Sequence, residues 1–266
     1  MAPPRSALMN VMIKAAEKAA KNLRRDFGEV ENLQVSRKGT ADFVSSADLQ
    51  AQKILRDELS KARPAFGFVV EEQDGAADTT GHAERWIIDP LDGTSNFLHG
   101  LPHWAISIAA EREGEIVAGV VCDPIKDEMF WAEKGVGAYL NNKRMRVSAR
   151  RDLVDCLIAT GIPFAGCMAD DPFFVKRLNA VMPKVAGVRR WGAAALDLAY
   201  VAAGRFDGYW EASLNYYDVA AGGILVKEAG GFVIPIDPKK HPLKDGELIA
   251  SSANIHDDLV KLIRGA

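Results

Sequence analysis

The chain has 266 residues, 48% of them hydrophobic and 26% charged, and its 33 basic and 36 acidic side chains give a formal net charge of −3. This composition is ordinary for a globular protein with one large or two modest domains, and the near balance of charge argues against a global basic field for nucleic acid or a membrane surface. The cysteines, Cys122, Cys156 and Cys167, lack the spacing of a metal site or a disulfide framework, and no apolar run approaches the length of a membrane span. We therefore expect a cytoplasmic protein that does not associate with membranes.

The first half of the chain predicts two helices followed by strands. Apolar residues at helical spacing predict a helix over 6–27 and a second over 46–62, which ends before Pro64. The apolar run 66–70 predicts a strand, and the run 86–88 predicts another that Pro90 ends. Three further strands and a hairpin are expected after these, at 105–110, 116–121, 128–132 and 135–147.

Strands and helices alternate in the second half. Strands are predicted at 157–160, 187–189, 207–211, 232–234 and 248–250. Helices are predicted at 171–181, at 193–203, from about Asp218 to the Gly230-Gly231 pair, and at 255–264. Antiparallel strands followed by alternating elements favour two layered halves. We place an α+β half at 1–145 and an α/β half at 146–266; the motifs described next assign the candidate metal ligands mainly to the first half and the completion of the metal and substrate site to the second.

The most informative segment is Trp86-Ile87-Ile88-Asp89-Pro90-Leu91-Asp92-Gly93-Thr94. Its strand delivers Asp89, and a second carboxylate, Asp92, follows three residues later. Two acids this close repel each other unless a positive charge lies between them, and Mg²⁺ prefers oxygen ligands. The alternative is an acidic turn in which Asp92 caps a helix, and the segment alone does not decide between the two.

Two more acids stand at the ends of predicted elements. Glu71 follows the strand at 66–70, and Asp218 opens the predicted helix that precedes Gly230. Taken alone, Glu71 is typical of a solvated strand end and Asp218 of a helix N-cap.

Together these blocks resemble the inositol monophosphatase family. That family carries a Lys-Gly segment followed by Asp-Phe-Val-Thr, a Gly-Glu-Glu strand end, an Asp-Pro-Ile/Leu-Asp-Gly-Thr turn and a Trp-Asp-x-Ala-Ala-Gly helix start. The corresponding blocks occur here in the same order, at 38–48, 70–72, 89–94 and 217–222. Val70 replaces the usual glycine and Tyr217 the usual tryptophan. The resemblance extends over nearly the whole chain.

The resemblance implies a layered α-β-α-β-α fold of the sugar-phosphatase type. The sheet of the first half would be antiparallel and that of the second half mixed, with the site between the halves. Two to three Mg²⁺ ions per site are implied. Glu71, Asp89 and the Leu91 carbonyl would hold one ion, and Asp89, Asp92 and Asp218 a second. A third, weaker ion would lie near Glu71.

The family also implies roles in catalysis and substrate binding. Glu71 and Thr94 would orient the attacking water, and Asp92 completes the catalytic set. Gly93 and Thr94 begin a predicted short helix, so their backbone N–H groups can face the phosphate. The remaining substrate contacts implied by the resemblance are Lys38, Gly192, Ala194, Glu211 and Asp218.

Simpler interpretations exist for several of these residues. Lys38, in a Gly/Thr/Ala segment suited to a lid, is otherwise an ordinary surface lysine. The small residues Gly192 to Ala194 equally suit close packing. Asp48 suits either an acid behind the metal ligands or a helix cap. Glu211 suits a polyol, because an ionised carboxylate is a good acceptor for hydroxyl donors.

The leading functional hypothesis is Mg²⁺-dependent hydrolysis of polyol phosphate monoesters, above all myo-inositol monophosphate, by metal-activated water. Same-fold alternatives are fructose-1,6-bisphosphatase, histidinol-phosphatase and nucleotide 3′-phosphatase. The resemblance is to bacterial members of the extragenic-suppressor type, which makes a regulatory partner in the transcription machinery a further possibility. A homodimer is expected, and direct binding of nucleic acid is not.

Overall fold

A computed structural model describes residues 3–29, 35–39, 42–71, 82–163 and 171–266. Its first half contains three helices and nine strands within those ranges. In chain order they are α1 (Ala7–Phe27), β1 (Val35–Gly39), β2 (Asp42–Ser45), α2 (Ser46–Ala62), β3 (Gly67–Val70), β4 (Glu84–Asp92), α3 (Thr94–Leu98), β5 (Ala105–Arg112), β6 (Glu115–Asp123), β7 (Glu128–Glu133), β8 (Gly137–Leu140) and β9 (Lys143–Arg144).

Helices α1 and α2 cover the outer face of the first sheet. Ser6 caps α1, because its hydroxyl accepts the Met9 N–H at 3.0 Å. The apolar face predicted for α1 is buried, with Leu8, Met12, Ala15, Ala19 and Leu23 in one core cluster with Leu55 and Leu59 of α2 and Trp86, Ile88 and Ile106 of the sheet. Hydrophobic spacing, together with cap and stop residues such as Pro64, therefore located both helices to within about a residue at either end.

The first sheet has the order β3-β4-β5-β6-β7-β8-β9. Its pairs from β4 to β9 are antiparallel, as predicted, whereas β3 joins the edge parallel to β4. The expectation that Pro90 ends the strand is wrong. Strand β4 continues to Asp92, and its pairing with β5 shifts by one residue between Asp89 and Asp92. The resulting bulge accommodates a proline that has no N–H to donate.

The second half alternates strands and helices, as the sequence predicted. Its elements are β10 (Leu157–Thr160), α4 (Phe174–Val181), β11 (Gly187–Arg189), α5 (Ala194–Ala202), β12 (Gly208–Glu211), α6 (Tyr216–Glu228), β13 (Phe232–Pro235), β14 (Leu248–Ser251) and α7 (His256–Arg264). The second sheet has the order β11-β10-β12-β14-β13, with β10 parallel to both of its neighbours and β14 antiparallel to β12 and β13. It is the mixed sheet that was expected.

Helices α5 and α6 lie between the two sheets, and α4 and α7 cover the outer face of the second sheet. The layers therefore run α-β-α-β-α, as predicted. The central core joins residues of both halves, such as Ile87 and Val121 with Tyr209 and Leu248. The division of the chain at 145/146 stays a prediction.

Glycines let α6 pack closely on both sides. A Cβ atom on Gly119 of β6 would lie 2.6 Å from Ile224 Cγ2 and 2.8 Å from the Ala221 carbonyl oxygen, and a Cβ on Gly222 would lie 2.5 Å from Leu198 Cβ. These distances are shorter than van der Waals contact, so the backbone of α6 approaches the first sheet and α5 where only glycine fits. In the described ranges, no helix combines the length and the apolar character needed to cross a membrane.

Candidate active site

The parallel pairing of β3 and β4 brings Glu71 beside Asp89. Val70 pairs with Ile88, and the Glu71 N–H donates to the Ile88 carbonyl at 3.2 Å, so the two acids follow at the same edge of the sheet. Asp89 is 2% exposed and Glu71 is half-buried. The Leu91 N–H donates to Asp89 Oδ1 at 2.9 Å, which fixes the turn that follows.

The β4 bulge directs Asp92 towards the second half of the chain. Its Oδ2 accepts the Ala195 N–H at 2.8 Å, in the first turn of α5. Asp92 therefore caps α5, which is distant in sequence, and not an adjacent helix as considered from the sequence. Helix α5 has no capping side chain of its own. Gly93 follows with φ +88°, a left-handed conformation that glycine adopts readily.

Thr94 begins α3 and lies between two oxygens. Its Oγ1 is 3.0 Å from Asp48 Oδ1 and 3.0 Å from the Leu91 carbonyl oxygen. Asp48 is fully buried in the first turn of α2. Asp48 therefore contacts Thr94, as an acid behind the turn would, and it also lies in the first turn of α2, so both interpretations of Asp48 stay predictions.

Asp218 lies in the first turn of α6 but is not its cap. The helix begins at Tyr216 with Asn215 as N-cap, and the Asn215 N–H donates to Asp218 Oδ2 at 2.6 Å. Asp218 is thus the third residue of the helix and the acid of its capping box, a position that presents its carboxylate at the positive end of the helix.

Five acids share one electrostatic environment. Burial raises the pKa of Asp89 well above its ordinary value, and the charges of Glu71, Asp92 and Asp218 together with a hydrogen bond to the Glu71 side chain raise it further. Burial raises the pKa of Asp92 to about 7 against the N–H groups that lower it, and Glu71 and Glu211 add to the rise. Asp218 also has its pKa raised well above normal, by burial and by Asp92, Glu71 and Glu211, against one backbone N–H. Acids from β4, β12, α6 and the residue after β3 are therefore close enough for their charges to interact.

Glu211 ends β12 and faces the same region. Tyr209 donates its hydroxyl to Glu211 Oε2 at 2.5 Å. A Cβ atom on Gly161 would lie 1.8 Å from the Glu211 carboxyl carbon, so only glycine leaves room for this carboxylate. Glu211 also lines a cavity of about 30 Å³ with Gly161 and Asp171. A further cavity, of about 400 Å³, lies away from the acids, between α1 and the β6–β7 turn.

The small residues Gly192 to Ala194 lie beside the turn that contains Gly93, because a Cβ atom on Gly93 would lie 3.3 Å from Ala193 Cβ and 3.4 Å from the Gly192 carbonyl oxygen. The Asn96 side-chain amide donates to the carbonyls of His103 and Trp191, both at 2.8 Å, and thereby ties α3 to this loop. Gly192 has φ +77°. Asn96 was not predicted from the sequence, although it lies only two residues after Thr94.

Asp197 was also missed. It lies in α5, is 1% exposed, and its Oδ1 has no hydrogen-bond partner among the described residues. Burial raises its pKa well above normal, Glu211 and Asp92 raise it further, and Arg190 lowers it. The signal in the sequence was a single acid in the apolar run Ala193–Ala203.

Lys38 and Glu72, both in the ordered sequence blocks, have no described side chain. The backbone of Lys38 is in strand β1, which forms a two-stranded antiparallel ribbon with β2, rather than in the loop expected from its neighbours. Glu72, the second acid of the Glu71-Glu72 pair, lies outside the described residues.

The donor set suits a hard cation. Four carboxyl groups and the Leu91 carbonyl offer oxygen ligands only, and a divalent cation would neutralise like charges that are costly to bury together. In the described ranges, no three or more Asp, Glu, His or Cys side chains already stand at the spacing of a formed metal site. The Glu71 and Asp89 carboxyl groups hydrogen-bond to each other instead. The residues therefore fit a divalent cation by their chemistry, and the assignment of individual ligands stays a prediction.

Comparison with known proteins identifies relatives along the whole chain. The model of the inositol monophosphatase family matches residues 5–266. An inositol-1-monophosphatase of Rhizobium meliloti is 54% identical over 260 residues, 98% of this chain and 97% of that protein. The crystal structure of extragenic suppressor protein SuhB from Bartonella henselae matches with a TM-score of 0.92 at 52% identity, over 97% of this chain and 99% of that one.

A third relative carries a different name. Nus factor SuhB of Pseudomonas aeruginosa is 38% identical over 260 residues, which cover 97% of this chain and 96% of that protein. These matches agree with the ordered sequence blocks and with the five layers of the fold. The chain therefore belongs to the inositol monophosphatase family.

Proposed function

We propose that this protein hydrolyses phosphate monoesters of polyols, with myo-inositol monophosphate as the preferred substrate, and that it requires Mg²⁺. Family membership makes it a phosphatase-type hydrolase. One observation supports the finer proposal above the others: the buried carboxyl groups of Asp89, Asp92 and Asp218 lie close enough to other acids for those charges to raise their pKa values. Mutual repulsion of this kind is sustained in folded proteins mainly where function requires it.

The proposed ligands are those named from the sequence. Glu71, Asp89 and the Leu91 carbonyl would hold one Mg²⁺, and Asp89, Asp92 and Asp218 a second. When bound, these ions would offset the charge of the phosphate and lower the pKa of the attacking water. A third, weaker ion near Glu71 is part of the same proposal.

The protein groups would position the water and the ester. The Thr94 hydroxyl can donate its single proton to Asp48 or to the Leu91 carbonyl, so its lone pairs are free to accept from a water. Glu71 would take the proton that this water loses. The backbone N–H groups of Gly93 and Thr94 would bind the phosphate, with Lys38 as an additional contact.

Glu211 would select for a polyol leaving group. Its carboxyl group is held between Tyr209 and the backbone of Gly161, and above its pKa of about 7 the ionised group is a good acceptor for hydroxyl donors. Gly192 and Ala194 would leave space for a ring beside it. Fructose-1,6-bisphosphate, histidinol phosphate and nucleotide 3′-phosphates are the competing substrates, because they require the same phosphate chemistry and differ in the alcohol.

Phosphate release from a panel of these esters, with and without Mg²⁺, tests the proposal. We expect the highest kcat/KM for inositol monophosphate and loss of turnover in EDTA that excess Mg²⁺ restores. Asp92→Asn and Glu71→Gln should each lower turnover by about 10²-fold or more while the protein stays folded. Asp258→Asn, on an exposed position of α7, is the control. Hydrolysis that resists EDTA, or near-normal turnover in either variant, would refute the mechanism.

A regulatory role in transcription is the second candidate, and the name Nus factor SuhB borne by a 38% identical relative is what favours it. Asp92→Asn separates the two roles, since a protein-binding function should survive a substitution that stops hydrolysis. A homodimer also stays part of the proposal, and sedimentation of the purified protein would test it.

A further inference from the structure

Glu111 occupies a buried position that the proposed chemistry does not use. It lies near the end of β5, is 1% exposed, and pairs across the sheet with Arg85 of β4. The Arg85 Nε donates to Glu111 Oε2 at 2.7 Å, and Arg85 Nη2 contacts the same oxygen. Arg85 precedes Asp89 by four residues on the strand that carries both acids of the metal-binding turn.

The other oxygen of Glu111 reaches the helix that carries Asp218. Tyr216 donates its hydroxyl to Glu111 Oε1 at 3.1 Å, and Lys244 Nζ is 3.4 Å from the same oxygen. Tyr216 is the first residue of α6 and stands two residues before Asp218. One buried carboxylate therefore links the strand bearing Asp89 to the first turn of the helix bearing Asp218.

A second contact holds the same turn. Ser107 of β5 lies opposite Asp89 in the sheet register, and its hydroxyl donates to the Tyr217 carbonyl at 3.3 Å. Two contacts therefore attach the residues immediately before Asp218 to β5. They are made by the side-chain hydroxyl of Tyr216 and by the main-chain carbonyl of Tyr217.

The start of α6 needs such attachment because of its charge. Asp218 faces the like charges of Asp92, Glu71 and Glu211. Repulsion among these acids pushes the first turn of α6 away from β4, whereas a divalent cation requires ligand oxygens in a narrow range of distances. Without these contacts, only the capping box would hold the start of α6. The cation would then have to order this turn itself, which would make its binding free energy less favourable.

We propose that Glu111 is a positioning residue that, together with Arg85 and Tyr216, holds the first turn of α6 so that Asp218 meets Asp89 and Asp92 around a divalent cation. The inference rests on the proposed function, since it assigns a support to that same site. A purely structural ion pair would stabilise the fold without changing cation affinity, and this difference makes the proposal testable.

Tyr216→Phe and Glu111→Gln are the two test variants. The first removes a single hydroxyl from the link, and the second removes the charge of the carboxylate and keeps its shape. Tyr139→Phe is the matched tyrosine control, because Tyr139 donates a hydroxyl hydrogen bond to the Val136 carbonyl within the same sheet. Glu128→Gln is the matched acid control, because Glu128 holds Arg205 through both oxygens and makes no contact with the start of α6.

The measurements are Mg²⁺ affinity by isothermal titration calorimetry, thermal stability in EDTA, and kcat at rising Mg²⁺ concentration. We expect both test variants to bind Mg²⁺ about 10-fold more weakly, as for loss of a group behind a metal ligand. Turnover at saturating Mg²⁺ should recover to near the wild-type value. The controls should lose comparable thermal stability and keep the wild-type Mg²⁺ affinity.

Wild-type Mg²⁺ affinity in Tyr216→Phe, or an equal loss of affinity in the controls, would overturn the positioning role. If Glu111→Gln does not fold, Tyr216→Phe alone decides. The two proposals fail separately: Mg²⁺ binding that the test variants weaken, without hydrolysis of any ester, would refute the function only. Mg²⁺-dependent hydrolysis that the variants leave unchanged at every Mg²⁺ concentration would refute the positioning role only. A wild-type protein that binds no Mg²⁺ would refute both.

Discussion

Glu211 has a carboxyl group whose protonation is linked to folding. Burial raises its pKa from the ordinary value of 4.5 to about 7, against the Tyr209 hydrogen bond and the Arg190 charge, which lower it. The folded protein therefore holds this proton more tightly than the unfolded chain does. The free energy of unfolding falls as the pH rises between these two values, and above about pH 7 the loss is complete.

Glu211→Gln should remove this pH dependence. The amide is neutral at every pH and its oxygen still accepts the Tyr209 hydroxyl, so the variant should gain in melting temperature over the wild type as the pH rises from about 5 to about 8. A relative gain on the order of a few degrees is expected, measured by thermal unfolding in EDTA. Glu29→Gln, at an exposed position after α1, is the control. A difference in melting temperature between variant and wild type that stays constant across this pH range would contradict the raised pKa of Glu211.

Single residues of the candidate site were predictable where several of them lie close together in the sequence. They were not predictable where only the fold brings them together. Asp89 and Asp92 stand out because two acids and a glycine follow an apolar run. The partner of Asp92 is the N–H of Ala195, 103 positions away, and no local pattern contains it. Glu111 and Asp197 were missed for the same reason, since each is a single acid in an otherwise unremarkable strand or helix.

Close packing of α6 against β6 determines where Asp218 lies. Gly119→Ala would place a methyl group 2.6 Å from Ile224 Cγ2 and 2.8 Å from the Ala221 carbonyl oxygen. Because a backbone atom is among these neighbours, side-chain rotation cannot relieve the clash, and α6 must move off the sheet. We expect a loss of about 1–3 kcal/mol in the free energy of unfolding, measured by urea denaturation, with weaker Mg²⁺ binding by the folded fraction.

Gly28→Ala is the matched control for that substitution. Gly28 ends α1, has an ordinary right-handed φ of −71°, and would bring its Cβ no closer than 3.3 Å to any atom of the described residues. The substitution should be nearly neutral. Wild-type stability in Gly119→Ala would show that α6 can shift without strain, and would remove the packing basis for the position of Asp218.

The order and type of the elements were largely predictable, because apolar periodicity reports which face of each element is buried. Element ends were less so. The helix predicted from 171 begins at Phe174, and the helix expected to start near Asp218 begins two residues earlier, since Asn215 is its cap. Nor could periodicity show that β4 continues through Pro90, because that depends on a bulge against β5.

The site is a product of the whole molecule. Its acids come from the edge of the first sheet, the helix between the sheets and the end of a strand in the second sheet. No single described element contributes more than two of these five acids. An unfolded chain would therefore lack the site, and any Mg²⁺ bound by the folded state should stabilise the entire fold.

We accordingly expect Mg²⁺ to raise the melting temperature. At a concentration about 100 times the dissociation constant the gain should be about 2.7 kcal/mol in the free energy of unfolding, and EDTA should reverse it. In EDTA, Asp92→Asn should melt no lower than the wild type, because it removes one of several like charges that are buried together. The same variant should lose most of the stabilisation by Mg²⁺, which scanning calorimetry with and without the ion would measure. An unchanged Mg²⁺ shift in Asp92→Asn would mean that the ion binds elsewhere on the protein, and the acids of β3, β4 and α6 would then need another explanation.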